Sequence, residues 1–135
     1  MLTREILFKG KEEQNGNWIQ GDLIHRIAGP TIGALDSDGL HEAYVDEETI
    51  CQYTGLVDKN GKEIWENDIV AYLDTYSTDN GYAEADCIGE VVWDEETISF
   101  QVTGRLSAES YEVLGECSVI GNIFDNPELV RGEAK

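Results

Sequence analysis

The stretch that decides the fold is TICQYTGLVDKNGKEIWENDIV, which runs from Thr49 to Val70. Two apolar segments in it flank Asn60-Gly61, a strong hairpin signal because a type I′ turn needs positive φ at both central residues. A two-residue turn here would pair Lys59 with Lys62 across its base. Ile69 to Tyr72 follows as a further strand candidate. The stretch therefore predicts a β-hairpin that leads into another strand.

Short apolar segments bounded by turn residues recur along the rest of the chain, which is the pattern of many short strands. They predict an N-terminal hairpin, a short strand, a third hairpin in which alternate side chains share one face that points into the core, and a last strand that a proline ends. The residues are, in the same order, Ile6–Phe8 and Trp18–His25 around Asn15-Gly16; Ala43–Val45; Val91 and Trp93 with Ile98, Phe100 and Val102 around Asp94-Glu95-Glu96; and Cys117–Phe124 before Asn126-Pro127.

Three segments lack a clear strand pattern. Ala28–Leu40 is dense in Gly, Pro and Asp and predicts a long loop. Asp74–Gly81 is polar and rich in turn-forming residues. Ser107–Leu114 fits two structures equally well, since Ser107 could cap a short helix while Tyr111 would suit a strand.

These patterns together predict a mainly β protein, either all-β or α+β with at most short helices, built as a small barrel or a sandwich. A chain of 135 residues fits one domain. We expect residues 1–135 to form that single domain. Within it, residues 1–45 would form an N-terminal β-hairpin and loop region, and residues 46–130 a β-barrel region.

The charge of the chain is its most unusual property. It carries 28 Asp and Glu against 9 Lys and Arg, for a net charge of −19. Such a field repels nucleic acid phosphates and anionic membranes, and it favours basic partners or cations. We therefore expect no direct binding to nucleic acid or to membranes.

No segment has the signature of a targeting or membrane-spanning sequence. The N-terminus is short and charged, and no run approaches the roughly 20 apolar residues of a membrane span. The three cysteines, Cys51, Cys87 and Cys117, are widely spaced and each lies in or beside an apolar segment, which predicts small buried side chains. The expected location is the cytoplasm.

No motif for catalysis or metal binding is present in the sequence. His25 and His41 lack the close spacing of zinc ligands, and a catalytic thiol is disfavoured because so acidic a chain would not lower its pKa. Nucleophile-elbow and phosphate-binding glycine motifs are missing. The residues around Gly81 do not fit an EF-hand loop. We expect no enzyme, cofactor or metal site, although a different cation site using Asp74, Asp79, Glu84 or Asp86 remains open.

One segment concentrates negative charge without compensation. No Lys or Arg occurs from Glu63 to Gly104, while acidic residues recur throughout that range. The sequence therefore predicts an acidic interaction face, for which the candidate residues are Asp74, Asp79, Glu84, Asp86, Asp94, Glu95 and Glu96.

Several segments carry a family resemblance. They are ICQYTGL (50–56), DKNGKEIWENDIV (58–70), GEVVW (89–93), VIGNIFDNPEL (119–129), REILFKGK (4–11) and WIQGDL (18–23). Taken together they resemble the YopX family of phage and prophage proteins. The resemblance implies a phage origin, hence a location in the host bacterial cytosol, and a β-rich fold with an SH3-like barrel over the second half. It implies no catalytic residues and no established function.

The functional expectation is a phage or prophage accessory protein that acts by non-catalytic binding through its acidic surface. Two alternatives remain open. The acidic face could imitate DNA phosphates and occupy a nucleic-acid-binding protein of the host. The chain could instead be a structural or assembly protein that forms homo-oligomers.

Overall fold

Strands make up most of the chain in the computed structural model, which describes residues 5–104 and 106–131. The chain divides into two compact units, Met1–Gly55 and Leu56–Lys135. The elements in chain order are β1 (Phe8–Lys11), β2 (Trp18–Arg26), β3 (Gly29–Asp36), β4 (Gly39–Tyr44), a 3-10 helix (Glu47–Thr49), β5 (Cys51–Val57), β6 (Glu63–Trp65), β7 (Asp68–Thr78), β8 (Gly81–Asp94), β9 (Ser99–Val102), α1 (Ser110–Glu116), β10 (Ser118–Asn122) and α2 (Glu128–Arg131).

The first unit is an antiparallel sheet in which neighbouring strands follow the order β4-β3-β2-β1-β5. The expected N-terminal hairpin is confirmed, with Lys11 paired to Trp18 at its closed end and Gly16 in the turn at φ 74°. The buried side chains of the first unit include Ile32 and Val45. Gly10 lies against them, because a Cβ there would come within 3.1 Å of the Val45 Cβ.

The prediction of a loop over Ala28–Leu40 was wrong, since β3 and the start of β4 occupy this segment. Its glycines have roles inside a sheet. A Cβ on Gly21 would lie 2.0 Å from the carbonyl oxygen of Gly33, so the two strands approach too closely there for any side chain. Gly39 begins β4 directly after a tight turn, at φ 113°. Gly33, which allows this close approach, lies in the segment predicted to be a loop.

The hairpin predicted at Asn60-Gly61 forms, but its loop has three residues rather than two. The Asp58 N–H donates to the Lys62 carbonyl at 2.7 Å, and the Gly61 N–H donates to the Asp58 carbonyl at 3.0 Å. Gly61 has φ 84°, whereas Asn60 is not among the residues with positive φ. This is a type I turn followed by a left-handed glycine, a common three-residue hairpin loop.

The second unit is dominated by one long hairpin. β7 and β8 pair from Ile69 with Glu90 to Thr78 with Gly81, and the second sheet has the order β10-β7-β8-β9. The strand predicted at Ile69–Tyr72 is confirmed but continues to Thr78. Much of the segment interpreted as polar and turn-rich, Asp74–Gly81, is therefore strand. Polar side chains fit here because an antiparallel sheet can present one face to water.

The core of the second unit lies between this sheet and α1. Val70, Val91 and Val102 from the strands pack in one cluster with Val113 and Leu114 from the helix. The segment that fitted either structure is thus helical, although the helix begins at Ser110 rather than near Ser107. The Glu109 N–H donates to the side chain of Glu112 at 3.0 Å, which stabilises the first turn.

Two side chains expected in the core, the aromatic Trp93 and the aliphatic Ile98, are exposed. Trp93 is 45% exposed and packs edge-on against Phe100, its partner across the strands, at 5.2 Å between ring centroids. Ile98 is 75% exposed because β9 begins only at Ser99, which leaves Ile98 in the turn at φ 53°. The inward alternation predicted for Val91 and Val102 holds, but it stops before the hairpin ends.

The prediction of a mainly β fold with short helices is confirmed, whereas a closed barrel is not formed. Across the described ranges, the second sheet has two unjoined edge strands, β10 and β9. The assignment of residues 1–135 to one domain stays a prediction. Neither α1 nor α2, the α-helices of the described residues, is long and apolar enough to cross a membrane.

Candidate binding surface

The register of the long hairpin determines which side chains lie together on its outer side. Residues paired directly in an antiparallel sheet point to the same face, and the face alternates along each strand. Leu73 pairs with Asp86, so these two share a face with every second neighbour on either strand. We call the part of this set from the Ala71–Ile88 pair to the Ser77–Tyr82 pair the hairpin face; it consists of Ala71, Leu73, Thr75, Ser77, Tyr82, Glu84, Asp86 and Ile88.

The structure brings two of the seven predicted acidic residues together on the hairpin face. Glu84 and Asp86 are exposed and stand two residues apart on β8, a separation of about 6.6 Å along the strand. Each faces a neutral partner on β7, Thr75 and Leu73 respectively. Their charges are therefore not neutralised across the strand pair.

Four other predicted residues lie at the two ends of β8. Asp79 is exposed in the turn between β7 and β8. Glu95 and Glu96 are exposed in the turn after β8, and Asp94 is half-buried at the end of that strand. Because β8 has 14 residues, the two ends are about 45 Å apart. These carboxylates do not form one cluster.

Asp74 was expected on the acidic face, and for this residue the expectation was wrong. It is only 2% exposed and pairs with Ala85, which places its side chain on the opposite side of the sheet from Glu84 and Asp86. One carboxylate oxygen accepts the Ser107 N–H at 2.9 Å, while the other has no hydrogen-bond partner among the described residues. Asp74 holds the chain that leads into α1 and is unavailable to a partner.

A groove with an apolar centre adjoins the hairpin face. Leu73 and Ile88 are 54% and 47% exposed, which is high for large aliphatic side chains. They border a groove of about 500 Å³ that Asp86, Ser118, Glu116 and Lys59 also line. Sequence reasoning missed Leu73, Ile88 and Glu116. The alternation from Tyr82 through Glu84 and Asp86 to Ile88 would have revealed the face, had the segment been interpreted as a strand.

The groove continues along α1. An adjoining depression of about 500 Å³ shares Leu73, Lys59 and Glu116 with it and adds Glu112 on the exposed side of the helix. Tyr72 lies beneath both depressions, and burial together with the nearby Cys87 and Asp74 raises the pKa of its hydroxyl to about 12. Tyr72 stays uncharged at neutral pH, so the carboxylates set the electrostatics of this surface.

A second cleft lies within the first unit and differs in its electrostatics. It measures about 640 Å³ and is bordered by Glu12, Glu13, Tyr44 and Glu42. The Arg26 guanidinium donates two hydrogen bonds of 2.7 Å to Glu42, and Thr31 donates a third. These donors lower the pKa of Glu42 to about 2. The charge of Glu42 is already matched, which leaves less attraction for a basic partner.

The residues considered for catalysis or metal binding do not assemble into a recognisable centre. In residues 5–104 and 106–131, no group of three or more His, Cys, Asp or Glu side chains is arranged to hold a metal ion. His41 instead lies 3.1 Å from Asp36 on the surface. Cys51 and Cys117 are buried, and burial raises the pKa of the Cys117 thiol to about 11. Cys117 is therefore protonated at neutral pH.

The fold and the family follow from comparison with known proteins. The crystal structure of protein EF1440 from Enterococcus faecalis resembles this chain with a TM-score of 0.55 at 21% sequence identity, covering 95% of this chain and 99% of that one. This likeness concerns the fold alone. A comparison with curated proteins finds no match. The profile of the family described as YopX protein matches residues 7–131, nearly the whole sequence. The chain therefore belongs to the YopX family.

Proposed function

We propose that this protein acts by non-catalytic binding and takes a basic protein partner on the hairpin face. The observation that carries the proposal is the exposed pair Glu84 and Asp86, which have neutral residues opposite them in a segment without Lys or Arg. A positively charged partner would gain attraction there without displacing an existing ion pair. The proposal includes a phage or prophage origin, action in the host bacterial cytosol, and an SH3-like relationship of the second half.

Imitation of DNA is the alternative that the acidity first suggests, and the short extent of the charged series supports it less well. DNA presents an unbroken series of phosphates along each strand. On the hairpin face, Glu84 and Asp86 are the two carboxylates, and Tyr82 and Ile88 flank them on β8. A face that mixes apolar and acidic side chains suits a protein partner better than a phosphate-binding channel.

Self-association is the other alternative, since Leu73 and Ile88 are exposed apolar side chains. Two copies meeting through this face would place four exposed carboxylates, Glu84 and Asp86 of each copy, in one interface. The net charge of −19 opposes that approach over a longer range as well. A partner of opposite charge is favoured over a second copy.

The test removes charge from the hairpin face without changing its shape. The variant Glu84→Gln/Asp86→Asn should weaken binding of a lysine–serine peptide about threefold to tenfold at low salt, as expected for two exposed charge pairs. Added salt should weaken binding to the parent protein steeply, because exposed charges are screened beyond about 10 Å at 0.1 M. Fluorescence anisotropy of the labelled peptide measures both effects.

Glu95→Gln/Glu96→Gln is the matched control, since it removes the same charge from the exposed turn after β8. It should weaken binding much less than the variant on the hairpin face. Equal losses in the two variants would mean that net charge alone attracts the peptide. A parent protein that does not bind the peptide at low salt would refute the proposed function outright.

A further inference from the structure

The groove on the hairpin face has an apolar centre with a low floor. Ala71 lies directly opposite Ile88 on β8 and opposite Ser118 on β10, so two small side chains stand beside one large one in that row. Leu73 borders the same depression from the next position on this face of β7. It is a diagonal neighbour of Ile88, within reach of a single side chain laid across both. The geometry leaves room for one aliphatic or aromatic side chain.

Carboxylates border this apolar centre and the depression that adjoins it. Asp86 stands across the strand pair from Leu73, and Glu116 lies at the last turn of α1, with Glu112 one turn earlier on the same exposed side. Carbonyl groups at the C-terminal end of a helix add further negative potential. Among the described residues, Lys59 is the cation that lines the groove. A ligand is therefore offered an apolar contact with negative charge around it.

This combination selects among basic partners. A wholly polar basic segment would pair with the carboxylates but would leave Leu73 and Ile88 in contact with water. An apolar segment without charge would fill the groove but would not compensate the carboxylates. A segment in which an apolar side chain is flanked by lysine or arginine satisfies both requirements at once.

We propose, resting on the function proposed above, that the partner binds through a basic amphipathic segment whose apolar side chain enters the groove between Leu73 and Ile88. Lysine or arginine side chains on either side of that anchor pair with Asp86 and with the carboxylates of α1. Lys59 opposes this arrangement, since it is a like charge at the edge of the groove. It weakens the binding of basic segments equally, whether or not they carry the apolar anchor.

The experiment compares two synthetic peptides of equal length and charge, one alternating lysine with leucine and the other alternating lysine with serine. The parent protein should bind the leucine peptide about tenfold more tightly, the value of one well-buried aliphatic side chain. Leu73→Ser/Ile88→Ser should abolish that preference and leave binding of the serine peptide unchanged. Lys59→Gln should tighten binding of both peptides about twofold to threefold.

Leu35→Ser/Leu40→Ser is the matched control, because these two exposed leucines pair across β3 and β4 in the first unit. This variant should keep the tenfold preference, and a preference lost here would overturn the assignment to the groove. Equal affinity of the parent protein for both peptides would refute the apolar anchor while leaving the proposed function intact. Binding of neither peptide would refute both. A parent protein that sediments as a dimer and a Leu73→Ser/Ile88→Ser variant that sediments as a monomer would identify a second copy as the occupant.

Discussion

Asp58 is the residue whose replacement should destabilise the second unit through hydrogen bonds alone. It is buried, and its carboxylate accepts three backbone N–H groups: Asn60 at 2.8 Å and Lys62 at 2.9 Å on one oxygen, and Val119 at 2.9 Å on the other. It thus joins the hairpin loop to β10. Hydrogen bonds to a charged group contribute about 1.5–3 kcal/mol each. Asp58→Ala should lower the free energy of unfolding by about 3 kcal/mol. The loss is smaller than the sum of three such bonds because water can hydrogen-bond the N–H groups that are left in the exposed loop.

Asp58→Asn tests the two carboxylate oxygens individually, because it keeps one oxygen and replaces the other with an NH₂ group. The amide oxygen can still accept the two N–H groups of the loop, but the NH₂ group would then face the Val119 N–H, which is also a donor. We expect a cost of about 1.5 kcal/mol, roughly half that of Asp58→Ala. Urea unfolding of both variants measures this, with the stability read from the midpoint at an unchanged slope. A loss below about 0.5 kcal/mol for Asp58→Ala would refute the reasoning.

The same carboxylate makes stability depend on pH in a defined direction. Burial alone would raise the pKa of Asp58, but the N–H donors of Val119, Lys62 and Asn60 outweigh it and lower the pKa. The contribution is therefore present above the unfolded-state pKa of about 3.9 and is lost as pH falls through the lower folded-state value. The parent protein should lose stability below about pH 4 more steeply than Asp58→Asn. Parallel acid titrations would contradict this.

Two further contrasts test the fold. Gly61→Val should cost about 1–2 kcal/mol because φ there is 84°, whereas Gly115→Ala, at a helical site with open space around it, should stabilise by about 0.5–1 kcal/mol. Equal denaturation midpoints for these two variants would show that the turn is misassigned. Val91→Ala should cost about 2 kcal/mol or more, since Val91 is fully buried, while Trp93→Ala should cost about 1 kcal/mol through its loss of Phe100. Because Trp93 is exposed, acrylamide should quench its fluorescence rapidly. The emission of Trp93 is obtained by comparing the parent with Trp93→Ala.

Local signals predicted those parts of the fold that depend on neighbouring residues. Asn60-Gly61 marks a hairpin because only glycine adopts positive φ at little cost, and Gly61 does so. Asn15-Gly16 did the same for the first hairpin. The predicted loop of two residues was wrong, since three residues lie between Asp58 and Lys62. The Asp58 side chain holds this loop by accepting three N–H groups, one of them from β10. That bond spans residues far apart in the sequence.

The acidic composition and the family resemblance were likewise available from the amino-acid sequence, because net charge is a sum over residues and the matching segments are local. Strand alternation puts Glu84 and Asp86 on one face, but whether Asp74 joins them was not available. The pairing of Leu73 with Asp86 places Glu84 and Asp86 on one face and Asp74, equally acidic, on the other. A shift of one residue in that register would exchange the two faces. The sequence by itself determined the charge, the hairpins at Asn15-Gly16 and Asn60-Gly61, and some of the strands. Only the tertiary structure decided the groove beside Leu73, because strand register and the packing of α1 are set by contacts between distant residues.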